Sequence, residues 1–172
     1  MDKIQLPDAE QLLASLAGAI RPDVTASTGL VGIYTGGVWL AERLHQDLRL
    51  ALPLGTLDVS FYRDDFGQIG LHPQVKPSDI PFEVEGSHII LIDDVLYTGR
   101  TIRAAINELF DYGRPASIRL AALIDRGGRE LPITAEYIGA TLALPSDKML
   151  ALEKDTDGKL GLSLYNKNSP GQ

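Results

Sequence analysis

The sequence predicts an α/β domain on a central, mainly parallel sheet flanked by helices. Apolar segments at residues 30–34 and 89–92 each run through a polar loop into a stretch of helical periodicity, the step from which parallel sheets are built. The second segment, Ile89-Ile90-Leu91-Ile92, shows no alternation, as expected of a strand covered on both faces. At 172 residues the chain is read as one domain, residues 1–172, long enough to bury a core.

Taken in order, Pro7 and Asp8 mark a helix start, and Leu12, Leu13, Leu16 and Ile20 recur at helical spacing until Arg21-Pro22. Residues 30–34 form a strand closed by Thr35, Gly36 and Gly37. Residues 38–50 carry Leu40, Ala41, Leu44 and Leu48 on one side and read as a helix. Residues 57–61 alternate as a strand. Residues 62–81 hold Gly67, Gly70 and prolines 73, 77 and 81 without periodicity, which predicts a flexible active-site loop. After the strand at 89–92 comes a helix over 101–112, with Ile102, Ala105, Ile106 and Leu109 inward and Gly113 past its end. Residues 117–124 form a strand that ends in the turn Asp125-Arg126-Gly127-Gly128. Short strands near 136–138, 149–152 and 160–165 follow, with Asp157-Gly158 as a hairpin turn and 166–172 as a frayed polar tail.

Composition narrows the function. Acidic residues outnumber basic ones 23 to 16, a net charge of −7, and the first 42 residues hold only Lys3 and Arg21 as basic residues. Nonspecific nucleic-acid binding is therefore disfavoured. The absence of cysteine excludes disulfides, thiolate catalysis and cysteine zinc sites, and agrees with a cytoplasmic protein. No apolar run approaches the ~20 residues of a membrane span, and the N-terminal residues lack a secretory pattern.

Ligands of open parallel sheets bind beyond the carboxyl ends of the strands. There, the strand at 89–92 runs into Asp93 and Asp94, then Val95, Leu96, Tyr97, Thr98, Gly99, Arg100 and Thr101, then a helix. Unpaired amides at a helix N-terminus suit a phosphate. Gly99 allows close backbone approach, and Thr98 and Thr101 add hydroxyl donors. Two carboxylates would repel that phosphate, so they fit sugar hydroxyls and Mg²⁺, bound directly or through water. A phosphate cup beside an acidic pair describes a phosphorylated sugar. Taken alone, the acidic pair would also serve as a helix cap.

The thirteen residues from Ile89 to Thr101 resemble the signature for 5-phosphoribosyl-1-diphosphate (PRPP) in type I phosphoribosyltransferases. The form Val-Leu-Tyr-Thr-Gly-Arg-Thr resembles the bifunctional PyrR-type pyrimidine-operon regulators and uracil phosphoribosyltransferases. Thr35-Gly36-Gly37, Tyr62-Arg63-Asp64-Asp65, Gly113-Arg114-Pro115 and the run from Asp125 to Ile133 follow in that family's order. The resemblance implies the type I fold with a small hood and the reaction of uracil with PRPP to give UMP and diphosphate, dependent on Mg²⁺. It also implies regulation of pyrimidine gene expression and a homodimer or higher oligomer. Asp93 and Asp94 would bind ribose and metal, residues 95–101 the 5′-phosphate, and Thr35, Gly36, Gly37 and Arg63 the diphosphate. Arg126 would meet diphosphate or base; a surface salt bridge is the other reading of it. The alternative function is a nucleotide-sensing regulator with little or no catalysis.

Purine-specific relatives place an acidic residue where this chain has Tyr97, and a tyrosine of ordinary pKa ~10 is a poor base at neutral pH. That favours a pyrimidine. Relatives that bind messenger RNA carry basic residues on the first helix, an arginine at the place of Gly36 and a histidine at that of Gly128. None of these is present, which argues against messenger-RNA binding; regulation would then be lost, pass to another partner, or rest on Arg119, Arg126 and Arg129. His45, His72 and His88 are too dispersed in sequence for a metal cluster, and Trp39 reads as packing or a subunit contact.

Overall fold

The computed structural model describes residues 3–59 and 78–168. Its centre is a five-stranded parallel sheet of order β2-β1-β3-β4-β5, formed by β1 (Thr28–Ile33), β2 (Gly55–Leu57), β3 (His88–Leu96), β4 (Ser117–Asp125) and β5 (Tyr137–Thr141). An antiparallel hairpin of β6 (Lys148–Lys154) and β7 (Leu160–Asn166) stands apart from it, with Gly158 at positive φ in its turn.

The lack of alternation in β3 has its predicted cause. Ile90 and Ile92 enter one core with α1 (Ala9–Ile20) and α2 (Gly36–Leu48). Ile89 and Leu91 enter the other, with Ile102, Ala105 and Leu109 of α3 (Arg100–Phe110). All four β3 side chains are at most 3% exposed, and each contributes about 1.5–3 kcal/mol by burial. Helix α1 starts where its sequence says, since the Asp8 carboxylate accepts from the Gln11 amide at 3.0 Å.

Several boundaries differ from expectation. Strand β3 does not stop at Ile92 but continues through Leu96, because β4 offers partners as far as Asp125. Helix α2 takes Gly36 and Gly37 into its first turn and stops at Leu48, with Arg49 left-handed. Strand β2 spans Gly55–Leu57 rather than 57–61; Leu57 and Val59 are nonetheless both buried, which is the alternation the sequence displays. Asn166 closes β7 and the Lys167 amide donates to the Asp147 carbonyl at 2.8 Å, so order reaches past the start of the expected tail. Arg63, His72 and most of the predicted loop 62–81 lie outside the described residues, as do residues 169–172.

Glu10 ties three elements together. It takes both guanidinium nitrogens of Arg43 on α2, the shorter bond at 2.7 Å, and accepts the Leu160 amide of β7 at 2.8 Å. These bonds, that to Arg43 foremost, hold its carboxyl below the ordinary 4.5. Such a group stabilises the fold fully above its unfolded pKa, and the contribution is lost as pH falls through the lower folded value. Because Arg43 is 41% exposed, Glu10→Gln is expected to cost about 1 kcal/mol or less in urea melts at pH 7. The gap between variant and wild type should close below pH 4.5. A gap that widened there would contradict this account.

Candidate functional site

Asp93 and Asp94 lie inside β3, not in a loop after it, and are only 2% and 8% exposed. Buried carboxylates are costly unless hydrogen-bonded. The Asp94 amide donates to Asp93 Oδ1 and the Val95 amide to Asp94 Oδ1, both at 2.9 Å. The pair is therefore fixed at the carboxyl end of the central strand.

The parallel register of β1 with β3 sets Gly32 beside Ile92, which brings the chain after β1 against the acidic pair. A Cβ at Gly37 would lie 2.5 Å from the Ile92 carbonyl oxygen, and one at Gly36 would strike Asp94 Oδ2. Only glycine fits both positions at this spacing. The Tyr34–Thr35 peptide is cis, and Thr35 is the N-cap of α2 without a side-chain cap bond. The two strand ends singled out in the sequence thus form one site.

The turn between β3 and α3 is shorter than the loop read from the sequence. Val95 and Leu96 are ladder residues, in register with Ile124 and Asp125, and the Leu96 side chain is buried in the α3-side core. Tyr97, Thr98 and Gly99 make the turn, with Gly99 at φ 94°, and Arg100 and Thr101 open α3. Its N-cap Gly99 supplies no side-chain cap and its first turn holds no acidic residue, a setting in which the positive end of the helix dipole suits an anion. Thr98 and Thr101 are 8% and 7% exposed. Thr98 Oγ1 accepts the Arg100 amide at 3.2 Å.

The loop after β4 buttresses this turn. The Glu130 and Leu131 amides donate to the Thr98 carbonyl at 2.9 and 3.2 Å, and a Cβ at Gly99 would sit 3.0 Å from Ile133. Arg129 donates to the Tyr97 carbonyl at 2.9 Å, to the Ile133 carbonyl at 2.8 Å and to Asp125 Oδ2 at 2.6 Å. The last bond, the largest influence, holds the Asp125 carboxyl below the usual carboxylate range. Sequence reasoning missed Arg129 as part of the site, although two arginines bracketing two glycines were visible there. The salt bridge considered for Arg126 belongs to Arg129. Arg126 is 6% exposed and donates instead to the Lys148 carbonyl at 2.9 Å and the Pro145 carbonyl at 3.3 Å.

The other candidates are scattered. His45 Nε2 is 2.8 Å from the Leu52 carbonyl oxygen and His88 Nδ1 is 2.8 Å from Ser117 Oγ. Trp39 packs on the α1–α2 core with Lys154 Nζ 4.9 Å from its ring centroid. Arg119, on β4, pairs with Asp23 and Glu136 and donates to the Tyr137 hydroxyl at 3.2 Å. No helix among the described residues is long and apolar enough to cross a membrane.

A parallel sheet whose central strand carries an acidic pair shortly before a glycine turn and a helix N-terminus frames the candidate site. The family model for the phosphoribosyl transferase domain matches residues 4–146, and the chain belongs to that family. Within it the similarity is to PyrR proteins. The chain is 54% identical over 153 residues to the "Bifunctional protein PyrR" of Pseudomonas savastanoi pv. phaseolicola, covering 87% of this chain and 90% of that one. It is 54% identical over 154 residues to the protein of the same name from Pseudomonas aeruginosa, with the same coverage. Among solved structures, a hypoxanthine-guanine phosphoribosyltransferase from Bacillus anthracis superposes with a TM-score of 0.65 at 22% identity, over 87% of this chain and 86% of the other. A hypoxanthine phosphoribosyltransferase from Staphylococcus aureus gives 0.63 at 21% identity, over 87% and 81%. At these identities the two structures speak to the fold alone.

Proposed function

We propose that this protein is a cytoplasmic uracil phosphoribosyltransferase, converting uracil and PRPP to UMP and diphosphate, that also takes part in regulating pyrimidine gene expression. The observation that carries the reading is the abutment of Gly36 and Gly37 on Asp93 and Asp94, a few residues before the N-terminus of α3. The 54% identity to PyrR proteins selects the pyrimidine branch. The protein would act as a homodimer or higher oligomer.

The 5′-phosphate is held by the amides opening α3 and by Thr98 and Thr101; the ribose hydroxyls donate to Asp93 and Asp94. The backbone of Thr35, Gly36 and Gly37 holds the diphosphate. The base nitrogen bonds to the anomeric carbon as the bond to diphosphate breaks and the nitrogen's proton is released. The buried carboxylates offer the hard oxygen donors that Mg²⁺ prefers. Asp93 and Asp94 would hold that ion, directly or through water. When bound, that ion neutralises charge growing on the leaving diphosphate. Fixed donors aimed at the same charge supply the remainder.

A regulatory role that senses UMP or PRPP with little or no catalysis is the second reading; the relatives' name, "Bifunctional protein PyrR", goes rather with two functions in one chain. Direct reading of RNA gains no support from the three arginines considered for it, since Arg119 and Arg129 pair with carboxylates and Arg126 is buried. The deciding measurement is diphosphate release from PRPP and Mg²⁺ with uracil, compared with orotate, hypoxanthine and guanine. Release with uracil alone is expected. Tight binding of UMP with no release for any base would leave only the sensor.

A further inference from the structure

Tyr97 is gripped from two sides by the loop that follows β4. The Arg126 guanidinium carbon lies 4.0 Å from the centre of its ring, and Arg129 holds its carbonyl. Gly127 and Gly128 take positive φ, 73° and 76°, which folds the loop so that both arginines reach one residue. A Cβ at Gly128 would come within 2.5 Å of Tyr97 Cε2, so the ring rests on bare backbone there. Arg126 is in turn anchored to the carbonyls of Pro145 and Lys148 at the base of the β6–β7 hairpin. Its Nε is buried without a hydrogen-bond partner among the described residues. An unpaired buried donor is costly, and an apolar prop would not carry that cost; the planar guanidinium contributes ring stacking together with the two carbonyl bonds.

We propose that Arg126 is a positioning residue that locks the Tyr97 ring as a wall of the base subsite, and that this locked wall restricts the subsite to single-ring bases. The inference rests on the pyrimidine reading above. With phosphate on the α3 end and sugar on Asp93 and Asp94, Tyr97 is the residue that joins the two. A base carried by the anomeric carbon must project off that line, towards the end of β4 and the hairpin. The stack sets the Tyr97 ring beside Arg126, the residue directly after β4. A ring held on one face by a buried cation and seated on Gly128 has no room to swing aside for a second base ring.

The test is calorimetric binding of UMP and of GMP to the wild type, Arg126→Lys, Tyr97→Ala and the double variant, each checked by thermal melting. Lysine keeps the charge but lacks the plane that stacks and bridges two carbonyls. The wild type should prefer UMP, and each single variant should lose about tenfold of that preference, the scale at which pocket shape discriminates. Because Arg126 acts through the ring, the double variant should lose no more than Tyr97→Ala does. An unchanged preference in Tyr97→Ala overturns the wall, and additive losses in the double variant overturn the positioning role. Tyr97→Ala leaves the carbonyl bonds of Arg126 in place, so it decides the matter of the wall even if the lysine variant fails to fold. A wild type that binds no UMP removes the uracil reading and this inference together; a wild type that prefers UMP beside variants that prefer it equally removes this inference alone.

Discussion

Replacing Asp94 by asparagine is expected to cut uracil-dependent diphosphate release by about 10²–10³-fold, the scale of losing one aligned group in a reaction that builds charge. The side chain is 8% exposed and its Oδ1 accepts the Val95 amide. Asparagine keeps that acceptor and the volume while removing the charge that suits a metal ion and ribose hydroxyls. Burial of an ionised group disfavours the folded state, so the variant should melt no lower than the wild type. Loss of turnover with an intact melt separates chemistry from folding. Wild-type turnover by the asparagine protein would remove Asp94 from the site.

Gly37→Ala should damage both fold and activity. Its new methyl would lie 2.5 Å from the Ile92 carbonyl oxygen and 3.2 Å from Asp93 Cα. Those are backbone atoms of the central strand, which no rotamer change can move. Helix α2 has to lift off β3, at a cost of about 1–3 kcal/mol for overpacking. The displacement falls on the residue next to Asp94, so PRPP binding should weaken too. Gly18→Ala on α1 is the matched control, because nothing lies within 4 Å of its added Cβ; it should be neutral or slightly stabilising. Urea melts and PRPP titrations of the two variants decide the point. Equal behaviour of both would mean that the close approach at Gly37 carries no energetic weight.

The sheet and the acidic pair were legible because both announce themselves locally. An unbroken apolar run read as a doubly covered strand, and the carboxylates after it gained their meaning from the hydroxyls, glycine and helix start that follow them. The extension of β3 through Asp93–Leu96 was not legible, since aspartate is a poor strand former and only the pairing with β4 overrides that preference. The junction of Gly36 with Asp94 depends on β1 and β3 being neighbours in the sheet, a tertiary fact that spacing along the chain does not contain. Arg126 shows a further limit. Its sequence surroundings suggest a solvent-facing arginine, and burial came from a hairpin some twenty residues further on, whose carbonyls have no sequence signature.

The abutment of β1's glycine turn on β3's carboxylates also bears on how the chain acquires its binding site. Glycines at 36 and 37 meet aspartates at 93 and 94 only after β1 and β3 have paired in parallel, with all the intervening chain looped out. Contacts of that sequence separation form slowly, because loop closure precedes any gain from them. A fragment that ends before β3 holds the glycines but neither aspartate. On the proposed reading, affinity for PRPP becomes a property of the completed sheet, and ligand present during refolding is expected to shift the equilibrium towards the native state by mass action without having a partial structure to grasp on the way.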